Sequence, residues 1–265
     1  MKRLGPLLAG LACLALLGPI LIVVIVSFSG DAYLRFPPTS LSLQWYTRFL
    51  SDGRWRSALA NSAEVAVLCC LLATAIGVLA AYAFVRGRLM LRGAVMALVL
   101  APLIVPGIVT AIAMYFLSVR LGLIGNRLWL AVTHAVVALP VVVIIAQSAL
   151  QGIDPELERA ALVHGCTRWG VLRRVVIPLA LPGMLSAALF AFLASFDELV
   201  IALFVAGVQG QTLPVRIWNS LTMELEPTIA AVSTLLIAAT VVVLGVDGLV
   251  RKIAARKESK QAVLF

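Results

Sequence analysis

The chain has 265 residues, of which 62% are hydrophobic and only 12% charged, with a mean hydropathy of +1.08 and a formal net charge of +9. Soluble domains run near ~25% charged residues, so this balance excludes an ordinary soluble domain and predicts an integral membrane protein. The apolar residues gather into blocks of about the ~20 residues that a spanning helix needs. Six such blocks cover approximately 4–28, 60–85, 93–119, 128–150, 183–206 and 228–250. Together they use almost the whole chain, so the expectation is all-α: a polytopic protein of six transmembrane helices forming one membrane domain over 1–265.

The first block follows Met1-Lys2-Arg3. It is longer than the ~7–15-residue core of a cleaved signal, and no small-x-small site follows it, so it reads as an uncleaved first helix. The connection after it, 29–59, is the longest. Its Pro37-Pro38 favours extended backbone, and Leu43, Trp45, Tyr46 and Phe49 suit a helix at headgroup depth. The turn RGRLMLRG joins the second and third blocks. Pro19, Pro102, Pro106 and Pro140 fall inside blocks, where each removes a backbone hydrogen bond and predicts a kink.

The basic residues set the orientation. With the N-terminus inside, Lys2, Arg3, Arg86, Arg88, Arg92, Arg159, Arg168, Arg173, Arg174 and five residues of the tail face the cytoplasm. Arg35, Arg48, Arg54, Arg56, Arg120, Arg127 and Arg216 face out. Both termini are therefore expected in the cytoplasm. Basic flanks against an anionic leaflet account for the positive charge without nucleic acid. Cys13, Cys69 and Cys70 fall in spans and Cys166 on the cytoplasmic side, so no external disulfide framework is expected.

Between the fourth and fifth blocks the chain turns polar, in ELERAALVHGCTRWGVLRRVVIPLALPG. Asp154-Pro155-Glu156 is a helix start, with an aspartate cap, proline at the first position and acid in the first turn. Gly165 marks its end, and a second amphipathic run, TRWGVLRRVVI, is expected to stop at Pro178. A plain reconnection needs only a few residues. About thirty residues, with small side chains at Ala160, Ala161 and Gly165, predict a cytoplasmic docking segment over 154–178.

This segment resembles the cytoplasmic signature of binding-protein-dependent ABC importer permeases, E-A-A-x3-G-x9-I-x-L-P. Here the pattern falls on Ala160-Ala161, Gly165 and Val175-Val176-Ile177-Pro178. The signature glutamate position is Arg159, with Glu158 one residue early, a shift of about 100° around a helix. The stretches FPPTSLSLQWYTRFL, ANS at 60–62, SFDELVIALFVAG and TLPVRIWNSL extend the likeness to nearly the whole chain. They are similar to the second permease of spermidine/putrescine-type importers, a subfamily that also serves opine-like and phosphonate-like substrates. The resemblance implies a type I importer permease in the bacterial inner membrane. It implies an ATPase-coupling role for Glu158, Ala160, Ala161, Gly165 and Pro178. It also implies cytoplasmic ATPase subunits that bind ATP and Mg, a second permease and an extracytoplasmic binding protein; this chain would itself bind no cofactor and catalyse no reaction.

The residues agree with that absence. The four lysines, Lys2, Lys252, Lys257 and Lys260, lie in no G-x4-G-K-[ST] loop, so P-loop hydrolysis is excluded. G-x-S-x-G, H-E-x-x-H and C-x-x-C are also missing. The remaining alternative is a self-sufficient secondary carrier, which needs no docking segment.

Ionisable groups inside a bilayer cost at least ~2.5–3.5 kcal/mol and usually face a cavity or a partner. Asp197 and Glu198 stand well inside the fifth block, Glu64 in the outer turn of the second, and His134 in the outer part of the fourth. Two readings are open for the acids: an internal polar cluster with His134 or a hydroxyl, or a substrate path formed by Asp197, Glu198 and Glu64. In the second reading Phe196 adds a cation–π face, and the cargo is a polyamine-like cation rather than an anion.

Overall fold

A computed structural model describes residues 4–223 and 226–262. Among them the fold is helical, with no β-strand beyond an isolated bridge between Ser29 and Leu41. The helices are α1 (Leu4–Ser27), α2 (Gln44–Ser51), α3 (Gly53–Arg86), α4 (Arg92–Ile104), α5 (Gly107–Leu121) and α6 (Arg127–Gln151). They continue with α7 (Pro155–Val163), α8 (Arg168–Val171), α9 (Ile177–Phe196), α10 (Val200–Val205), α11 (Leu213–Met223) and α12 (Thr228–Ala262). Lys2 and Arg3, which entered the orientation argument, lie outside the described residues.

The chain divides into two compact units. The first comprises Met1–Ala58 and Val215–Val242. In it the expected aromatic helix forms as α2, but Trp45 and Phe49 are buried rather than turned to headgroups. Phe49 packs on Trp55 at 6.0 Å, and the Arg216 guanidinium lies 5.3 Å from the Trp55 ring. The Arg48 side chain pairs with Glu226 at 2.5 Å. In the loop before α2, Asp31 accepts from the Thr39 hydroxyl and from its N–H. These bonds hold the Asp31 carboxyl below the usual carboxylate range, because they favour the charged form.

The second unit comprises Leu59–Pro214 and Val243–Phe265. Its axis is α6, the most buried of the three helices that, among the described residues, are long and apolar enough to cross a membrane; the others are α3 and the run Arg168–Phe196. Asn126 caps α6 by accepting from the Trp129 N–H at 3.0 Å, which fixes where the helix begins. Glycines permit close approach on two sides. A Cβ at Gly77 would press on Val142, and one at Gly183 would collide with Ala149. Gly77 of α3 therefore packs on α6 side chains, and α9 lies against α6 at backbone distance.

Three expectations are corrected here. The third block does not merely kink: α4 and α5 meet at 102°. Val105 is extended (φ −72°, ψ 130°) as a residue preceding proline prefers, and Pro106 starts the new helix. The polar run does not stop at Pro178. A π-helical turn over Leu172–Val176 lets α8 continue into α9, with the Ile177 N–H reaching back to Leu172 O. The wider turn accommodates a proline that donates no N–H. Finally, the fifth block is not continuous. The helix ends at Phe196 and restarts at Val200, so Asp197 and Glu198 sit in a break at the far end of a 29-residue helix. The bent α4–α5 pair is together long and apolar enough for a broken span or a re-entrant loop, and shorter apolar helical stretches occupy Cys13–Ser27 and Thr228–Val242.

Candidate functional site

The polar segment forms an elbow. Asp154 accepts from the Glu156 N–H at 2.9 Å and Pro155 opens α7, as their residue types predict. The helix ends in a left-handed residue, Gly165 at φ +86°, where glycine carries no Cβ penalty. Thr167 then caps α8 by accepting from the Gly170 N–H at 3.1 Å. The expected small-residue face is divided. Ala161 packs inward with Cys166 and Val175 against a buried cluster that includes Leu150, Ile153 and Val176. Ala160 and Gly165 face outward, and a Cβ at Gly165 would meet nothing within 4 Å. The same two short helices carry large exposed apolar side chains: Leu157, Leu162, Val163 at 86% exposure and Trp169 at 68%. Pro178 is exposed on the continuing helix.

Glu158 turns the other way. The Arg86 Nε donates to its Oε1 at 2.7 Å, and both side chains are largely buried. The same guanidinium, through Nη2, donates to Leu150 O at 3.2 Å and Ile153 O at 2.8 Å. Its neighbour Arg159 points outward and pairs with Glu156 on the surface. The one-residue shift of the glutamate thus decides its partner. Arg86 is the residue that sequence reasoning missed. It counted there only as a basic flank, although an arginine ending a helix is a signal for binding C-terminal carbonyls.

The acidic break is divided in the same manner. The Glu198 carboxylate accepts from the Ile201 N–H at 2.9 Å and the Ala202 N–H at 3.3 Å, capping α10. His134 is fully buried; its Nδ1 lies 2.9 Å from Ser195 Oγ, and its Nε2 lies 3.7 Å from Glu198 Oε2. The latter distance is too long for a hydrogen bond. Glu198 is thus held by the α10 N–H groups and His134 by the Ser195 hydroxyl, with the two side chains near each other but not hydrogen-bonded. Asp197 is exposed and makes no side-chain hydrogen bond among the described residues. Phe196 stacks on Phe192 with ring centroids 5.6 Å apart.

Glu64 is not brought to the break: it pairs with Arg127 at 2.7 Å, both about half exposed, and Arg127 also donates to Asn61 Oδ1 at 3.3 Å. Asn61 in turn donates to the Gln209 and Gln211 carbonyls, while Ser62 Oγ accepts from the Leu213 N–H at 2.7 Å. The ANS stretch is thus a tie between α3 and the loop entering α11. Among the described residues no group of histidine, cysteine and carboxylate side chains is arranged to hold a metal.

Comparison with known proteins agrees with this architecture. The chain is 32% identical over 219 residues to the spermidine/putrescine transport system permease protein PotC of Haemophilus influenzae, covering 83% of this chain and 85% of that one. It is 30% identical over 257 residues to the putrescine transport system permease protein PotI of Escherichia coli, covering 94% and 89%. Its fold matches a chain of a bacterial ABC transporter that imports the acidic polysaccharide alginate. That match has a TM-score of 0.72 at 19% identity and covers 92% of this chain and 94% of that one. Residues 73–258 match the family described as binding-protein-dependent transport system inner membrane component. This multi-pass protein is accordingly an ABC importer permease, a transport subunit rather than an enzyme, and it belongs to that family.

Proposed function

We propose that this permease moves polyamines or similar organic cations inward, driven by a separate ATPase that docks on the elbow over 154–178. The observation that carries the coupling half is the outward face of α7 and α8. Its Leu157, Ala160, Val163, Gly165 and Trp169 are all exposed, on a segment that lies between apolar blocks and therefore in water. Large exposed apolar groups grouped together mark a contact with another protein. ATP and Mg belong to that ATPase. A second permease chain completes the pathway, an extracytoplasmic binding protein delivers the cargo, and both termini lie in the cytoplasm in a single six-span permease domain.

The cargo half rests on the relatives named for spermidine and putrescine, together with the sign of the accessible charge. Glu64 is neutralised by Arg127 and Glu198 is occupied as a cap, so the path role narrows to Asp197, with Phe196 beside it. A carboxylate is the counter-charge an ammonium group needs.

Uptake of radiolabelled spermidine by proteoliposomes holding the complete complex tests the reading. Uptake that requires ATP and the loaded binding protein supports it. ATP-independent uptake, or uptake of anions in preference to amines, defeats it.

A further inference from the structure

The elbow meets the membrane helices at one guanidinium. Arg86 is the last residue of α3. Leu150 is in the last turn of α6; its carbonyl accepts from the Gly152 N–H that closes the helix and keeps a second lone pair for a further donor. Glu158 is in the first turn of α7. The carbonyl end of α6 is electronegative and attracts a cation, and the acid of α7 adds a full charge. Arg86 satisfies both through separate nitrogens, Nε to Glu158 and Nη2 to Leu150 and Ile153. Beneath this contact lies an apolar cluster of Ala81, Leu150, Ile153, Val176 and Ala180, packed so that a displacement of one helix is passed to its neighbours.

We propose that Arg86 is the positioning residue that makes α7, α3 and α6 move as one body, so that a push on the elbow reaches two membrane helices at once. This rests on the reading of the elbow as the ATPase contact. A planar guanidinium holds acceptors in fixed directions, whereas a lysine ammonium is a flexible point charge; three acceptors on one fork make a stiff joint. A largely buried ion pair is weak evidence for stability. Its use here is geometric: without the joint the two ends of the coupling equilibrium are no longer linked, and the ATPase state ceases to bias the membrane state.

The test uses the complete complex in proteoliposomes, with Arg86→Lys and Arg86→Gln, and reads three quantities: ATPase retained on the complex, ATP hydrolysed, and cargo moved per ATP. With the link as described, the ATPase stays bound and hydrolysis continues, while cargo per ATP falls roughly tenfold in Arg86→Lys and further in Arg86→Gln. Glu158→Gln, which keeps an acceptor oxygen, falls less than Arg86→Gln. Unchanged cargo per ATP in both arginine variants overturns the proposal. So does failure of both to assemble, which assigns Arg86 a purely structural role. Loss of the ATPase from Ala160→Arg, or its retention there, reports on the docking reading separately, because that variant leaves Arg86 and its acceptors untouched.

Discussion

The elbow and the acidic break solve one problem in two ways. Each places two charged residues side by side, Glu158 with Arg159 and Asp197 with Glu198, and each sends one inward and one outward. At the elbow both are on a helix, where neighbours point about 100° apart. Glu158 therefore meets Arg86, while Arg159 stays on the surface with Glu156. At the break the helix has ended, and Glu198 turns back to cap α10 while Asp197 is left exposed. In both places the inward member holds the architecture; the outward member is paired on the surface at the elbow, Arg159 with Glu156, and exposed at the break, Asp197. In the proposed reading the elbow meets an ATPase through its apolar surface, and the break meets a cation through the Asp197 charge.

The largest effect is expected from bulk on the outward face of the elbow. Gly165→Arg should abolish transport while the protein still inserts, as measured by uptake alongside membrane yield. Its left-handed φ makes any side chain costly, by roughly 1 kcal/mol, so Ala160→Arg is the cleaner partner. It strains nothing in the chain and should release the ATPase on purification; wild-type ATPase retention with normal uptake would remove the docking face.

The inward member of the break comes next. Glu198→Ala removes a cap worth ~1–2 kcal/mol and should lower the amount of assembled complex, seen by size-exclusion yield and melting temperature. Activity per complex should remain close to wild type. A large loss per complex with full assembly would put Glu198 on the path and collapse the distinction between the two acids. The smallest effect is expected from Glu64→Gln. An exposed ion pair contributes about 0–1 kcal/mol, so both yield and uptake should change less than twofold. A severe transport defect there would restore Glu64 to the substrate path.

Much of this was legible in the residues because local chemistry decided it. Asp154-Pro155 opened α7, Gly165 closed it, and the family signature fell on exposed and buried positions of one elbow. What could not be read depended on long-range contacts. Pro106 and Pro178 look alike in sequence, yet the first breaks its helix at 102° and the second is carried through by a π-helical turn; backbone compensation by neighbours is invisible to a single-sequence reading. The break after Phe196 falls at the acidic pair inside an otherwise apolar block, and the capping bonds of Glu198 show what the pair does there. Trp45 and Phe49 suited a headgroup belt by type and were buried instead; Phe49 packs on Trp55 of the next helix, whose ring in turn meets the distant Arg216. Arg86 was counted for its charge and not for its acceptors, which lie more than sixty residues away.

The most direct test of the inward–outward division is cargo transport normalised to assembled complex in Asp197→Asn and Glu198→Gln. Both substitutions keep shape and remove charge. The account predicts that Asp197→Asn assembles normally and loses spermidine transport by at least about tenfold, the scale of one lost charge-assisted contact. Glu198→Gln is predicted to keep its normalised transport within about twofold, because the glutamine oxygen still accepts from the α10 N–H groups. Unchanged normalised transport in Asp197→Asn would contradict the account and leave the whole acidic break as structural.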